Sequence, residues 1–199
     1  MLKPKISMIF LFKRKAVYFF SFLFFVFTTG FTQAQLDITG ISTVWDDAFH
    51  EWHVYAFNQQ DEEVQGTLRV KWQFRQDAWK EWVFELENYD AQIRQKYTNE
   101  LNHWELRSNE GTIDFKLQWR NDVNQWQINW NRERIKWRTK FNNDLNDWIY
   151  KGENDDLFSV YTIYRDDPRD WEVYYENIDL PMDVQVAMIF ISIYYSTPK

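Results

Sequence analysis

Cysteine is absent from the 199 residues, so no disulfide framework, thiolate metal site or cysteine-borne lipid anchor exists. Glycine (5) and proline (4) are scarce, which excludes collagenous and flexible-linker chains. The sequence has no glycine-rich phosphate loop, no metal-ligand spacing and no nucleophile motif. The repetitive part of the chain also lacks a helical apolar stripe. Aromatics, by contrast, reach 20%, with 12 tryptophans, far from the composition of a disordered chain.

Residues 1–34 hold no acid and five bases: Lys3, Lys5, Lys13, Arg14 and Lys15. An apolar run from Ala16 to Phe27 follows, then Thr32 and Ala34, spaced as a signal peptidase requires. This reads as a secretory signal peptide over 1–34, with one domain over 35–199. The run is shorter than the roughly 20 apolar residues of a membrane span. The remaining chain carries 18 bases and 30 acids, a formal charge of −12. Such a balance argues against nucleic acid as partner and against docking on anionic lipid. The expected location is the periplasm, cell surface or extracellular space.

Tryptophans mark an internal repeat. Trp52, Trp82, Trp104, Trp126, Trp148 and Trp171 are 30, 22, 22, 22 and 23 residues apart. Each follows another aromatic by seven or eight residues: Trp45, Phe74, Tyr97, Trp119, Phe141 and Tyr164. An acidic turn lies between, clearest in Trp119-Arg-Asn-Asp-Val-Asn-Gln-Trp126 and Phe141-Asn-Asn-Asp-Leu-Asn-Asp-Trp148. The flanks alternate with period two, the mark of a half-buried strand. Leu68, Val70, Trp72 and Phe74 share one face; so do Ile113, Phe115, Leu117 and Trp119. In the turns, an Asp side chain is placed to accept a backbone N–H two residues on, and Asn124 and Asn146 are expected to take the left-handed conformation.

The prediction is all-β: an antiparallel meander of about 12–13 strands, built from six ~22-residue hairpin repeats and rolled or closed over an aromatic core. Val184–Tyr195 is apolar on both faces and reads as a thirteenth strand buried on both sides. A buried helix starting near Pro181 is the alternative.

The function expected is non-catalytic binding or scaffolding in the envelope or extracellular space, with a polysaccharide or an envelope protein as partner and no insertion of the mature chain into a membrane. The repeat tryptophans are expected in the core. Aromatics outside the repeat register are the candidates for stacking on sugar rings: Trp79, Tyr89, Tyr150, Tyr161 and Tyr174. The acidic turns lack the dense spacing of a calcium loop, and no metal or cofactor is expected. Two alternatives stand beside this reading. One is an integral outer-membrane β-barrel, which alternates in the same way. The other is a glycoside hydrolase using paired carboxylates.

Overall fold

The computed structural model describes residues 36–152 and 156–198. The signal-peptide reading falls outside them. Twelve antiparallel strands close into a meander barrel in which β1 pairs with β12. They are β1 (Asp37–Trp45), β2 (Ala48–Phe57), β3 (Glu63–Val70), β4 (Glu81–Leu86), β5 (Tyr89–Tyr97), β6 (Glu100–Ser108), β7 (Thr112–Leu117), β8 (Gln125–Trp130), β9 (Glu133–Thr139), β10 (Asp147–Lys151), β11 (Leu157–Tyr164) and β12 (Asp167–Glu176). One helix, α1 (Met182–Ser196), follows.

The α1 segment corrects the expected thirteenth strand. It is helical, and every residue from Asp183 to Ile193 is buried. The physical reason lies in the closure. A sealed barrel has no unpaired edge to accept another strand. A lone strand in its apolar interior would leave its backbone N–H and C=O groups without partners, whereas a helix satisfies them internally. Apolar residues on all sides suit a helix surrounded by core. About 22 Å long at 1.5 Å per residue, α1 enters at the rim where β12 ends. Its last turn reaches the opposite rim, where the Ser196 hydroxyl donates to the Leu145 carbonyl.

Alternation sets inside from outside. Trp82, Phe84 and Leu86 of β4 point inward, as do Trp126 and Ile128 of β8 and Trp171 and Val173 of β12. The six repeat tryptophans are at most 1% exposed. Inward rings pack on α1: Trp82, Trp104 and Phe115 meet Phe190 edge-on, with centroids 5.0 to 6.0 Å apart. Trp137 donates its indole N–H to Ser192 at 3.2 Å. At Gly66 a Cβ would stand 2.3 Å from the Glu85 carbonyl oxygen, so the β3–β4 approach needs a residue without one.

The outer wall is polar and laced with ion pairs: Arg69–Glu85 at 3.2 Å, Arg94–Glu105 at 2.8 Å and Arg107–Glu105 at 2.7 Å. Burial raises the affinity of Glu105 for a proton, but hydrogen bonds from Arg107 and Arg94 outweigh it and hold the carboxyl below its ordinary range. Among the described residues no helix is long and apolar enough to cross a membrane.

Candidate functional site

In an antiparallel meander every second connection lies at the same rim. The six acidic turns between paired aromatics therefore share one end of the barrel. Each closing tryptophan is drawn into the core within the first five residues of its strand. In five of six, its indole N–H folds back onto the carbonyl three residues earlier: Trp52 to Phe49, Trp82 to Trp79, Trp126 to Val123, Trp148 to Leu145 and Trp171 to Pro168, at 2.8 to 3.0 Å. Trp104 instead donates to the Tyr195 hydroxyl of α1 at 3.1 Å.

The opening aromatics behave oppositely. Trp45, Phe74, Tyr97, Trp119, Phe141 and Tyr164 are each at least 50% exposed, and Phe74 is 99% exposed. Trp72 is also exposed. Trp72, Phe74 and Trp119 thus depart from the inward alternation that the sequence predicts. The reason is that β3 ends at Val70 and β7 at Leu117, so the later residues lie beyond the sheet, where no inner face remains. Several of these rings are held in place. Trp45 donates to Glu51 at 3.1 Å and Trp72 to Glu81 at 3.2 Å. Lys71, Lys96 and Lys140 place their ammonium groups 5.6, 5.8 and 5.6 Å from the rings of Trp72, Tyr97 and Phe141.

Neighbouring turns are tied side by side. Asn124 donates to Asn143 at 3.4 Å, Asn146 donates to Asp166 at 3.3 Å, and Arg169 reaches Asp46 at 3.9 Å. Within turns, Asp122 accepts the Asn124 N–H and Asp144 the Asn146 N–H, both at 3.0 Å, as the sequence implies. The left-handed residues are Asn121, Asn143 and Asp166, in place of Asn124 and Asn146. The latter two are occupied in bonding back to the preceding Asp.

The rim opens into a cleft of about 380 Å³ between β2 and the long β3–β4 connection. Val70, Trp72 and Phe74 supply its apolar surface; Arg69, Lys71, Arg75, Gln73, His50 and Glu51 supply its polar groups. His50 stacks on Trp45, with planes 18° apart, and makes a hydrogen-bond contact with Gln73. This is where the repeat spacing stretches to 30 residues, the one sequence signal that pointed to it.

The sequence-derived sugar candidates do not converge. Trp79 is partly buried against the core, edge-on to Trp82 at 5.5 Å. Tyr89 is buried, and its hydroxyl donates to Asp183 of α1 at 2.6 Å. Burial, and then that carboxylate, push the Tyr89 phenol far above its ordinary value. Tyr150 packs partly buried on the core. Tyr161 and Tyr174 lie together on the outer wall, on paired strands opposite Glu172 and Ser159. Burial and a hydrogen bond with Glu172 push the Tyr161 phenol up to about 12.

Of the histidines, His103 is fixed on the outer wall, with Glu100 at 3.0 Å on one ring nitrogen and Asp114 at 3.3 Å on the other. Among the described residues no group of three or more His, Asp or Glu side chains is arranged to hold a metal ion. Compared with known protein families, curated proteins and solved structures, the chain matches none.

Proposed function

We propose that the protein is an exported, non-catalytic binding module of the cell envelope or extracellular space, and that the aromatic rim takes a glycan. The observation that carries this is the split within each repeat: one ring buried, its partner held in water at one rim. Leaving six large rings exposed forgoes several kcal/mol of burial, and their recurrence at one rim sets them apart from apolar residues scattered singly over a surface. Flat rings stack on the apolar faces of pyranoses, while Arg69, Lys71, Gln73 and His50 of the cleft offer hydrogen bonds to hydroxyls. Export rests on the sequence of residues 1–34. The outward ion pairs and inward aromatics support a wall that faces water rather than lipid, since a lipid-facing barrel carries its apolar band outside.

The test is retention of the mature chain on insoluble cellulose, xylan and chitin. The double variant Trp72→Ala/Phe74→Ala should lose retention at least tenfold with an unchanged melting temperature. Failure of every polysaccharide to retain the wild type would leave the rim to a protein partner, and recovery of the protein only in detergent extracts would refute the water-facing reading.

A further inference from the structure

We infer that the outer wall of β8 and β9, with Lys116 of β7, is a second binding face, one that takes an acidic polysaccharide. It does not depend on the rim.

The observation is a local reversal of charge. Elsewhere on the wall most cations are paired: Arg69, Lys71, Arg94, Lys96, Arg107 and Lys140 each meet a carboxylate. On β9, Arg134, Lys136 and Arg138 alternate outward, are exposed, and form no ion pair with any described residue. Lys116 is likewise exposed and unpaired among the described residues. The carboxylates on the flanking strands are already engaged: Asp114 of β7 by Lys96 at 3.6 Å, His103 at 3.3 Å and Asn129 at 3.0 Å, and Asp147 of β10 by Lys140 at 3.0 Å. The one acid on β8 and β9, Glu133, falls on the inward register, at the strand start.

The register gives this face its geometry. Lys116 stands opposite Gln127, and Gln127 opposite Lys136. Gln125 faces Arg138, and Asn129 faces Arg134. Successive outward cations of β9 are about 7 Å apart along the strand, and Lys116 lies about 10 Å across it. Amide side chains fill the places between. Anionic groups at sugar-scale intervals fit the cations, and ring hydroxyls between them fit the amides, which both donate and accept.

Nucleic acid fits less well. These outward positions carry no aromatic ring on which bases would stack, and a densely charged polymer meets the repulsion of residues 35–199, which carry a net −12. A sparser polyanion is tolerated. At physiological salt the screening length is about 8 Å, shorter than the way round or through the barrel to the acids of β12.

The test is affinity electrophoresis and titration with polygalacturonate, against neutral dextran and double-stranded DNA, using the wild type, the triple variant Arg134→Gln/Lys136→Gln/Arg138→Gln, and Trp119→Ala. All three changes in the triple variant are at exposed polar positions, and unchanged near-ultraviolet circular dichroism will certify its fold. Lys116→Gln is a milder second probe. The expected result is polygalacturonate binding that weakens with salt, falls at least tenfold in the triple variant and several-fold in Lys116→Gln, and is unchanged in Trp119→Ala. The inference is overturned by absence of binding at low salt, by equal binding of wild type and triple variant, or by tighter binding to DNA. Loss of neutral-glycan retention in rim variants alone would bear on the rim and leave this face untouched.

Discussion

Two aromatic environments recur in this chain, separated by seven or eight residues and opposite in energetics. Trp148 is fully buried and bonded to the Leu145 carbonyl at 2.8 Å, whereas Trp119 stands in water. Trp148→Ala should therefore cost about 3–5 kcal/mol in urea denaturation, and Trp119→Ala should change stability by no more than about 0.5 kcal/mol. A Trp119 variant as damaged as the Trp148 one would mean that the rim rings are structural. Gly66 makes a sharper case. The Glu85 carbonyl oxygen occupies the space a Cβ would need, so Gly66→Ala should destabilise by about 1–3 kcal/mol although it adds one methyl group. An unchanged melting temperature would show that β3 and β4 can part without cost. The burial of the repeat tryptophans was legible from alternation alone. The exposure of their partners was not, because a period-two pattern says which face a residue is on but not where the sheet stops.

At the level of elements, α1 and the ion-paired strands carry the testable chemistry. Asp183 lies in the first turn of α1, where the helix dipole favours a negative charge, and Tyr89 is its buried hydrogen-bond donor. Tyr89→Phe removes that donor and should cost about 1–3 kcal/mol, measured by thermal or urea unfolding; no loss would mean that another donor replaces it. On the outer wall, the proton affinity of Glu105 is lowered in the folded state. Its contribution is present above its ordinary value of 4.5 and is lost as pH falls through the lower folded value. Glu105→Gln should thus lose less stability than the wild type between pH 7 and pH 3. Parallel losses in both proteins would remove Glu105 from the account of acid sensitivity. The element that the sequence could not settle was α1. Its residues are apolar all round, and neither a period of two nor one of 3.6 emerges when every face is buried. Only closure of the barrel, a non-local fact, decides for helix.

For the whole molecule, the acidic turns matter collectively. They share a rim, but Arg169 meets Asp167 at 2.6 Å and Asn146 bonds Asp166, so much of their mutual repulsion is already offset. Melting temperature should rise only slightly with salt, equally in NaCl, MgCl₂ and CaCl₂ at matched ionic strength. A large rise with Ca²⁺ alone would turn these turns into metal loops. The meander order and aromatic core could be read from the repeat; the charge segregation could not, because it depends on which outward cations meet a carboxylate and which do not. The closure of β1 on β12 forms a seam. That seam has a kinetic consequence. β1 waits for β12, and both wait for α1, which follows every strand in the chain yet fills the space inside them. No N-terminal fragment of the barrel owns a complete core. Hairpins between consecutive strands are local, but the barrel is completed only by contacts far apart in sequence, β1 with β12 and α1 with the wall, and such contacts slow folding. A chain that stays unfolded until its last helix has emerged remains threadable for that whole interval.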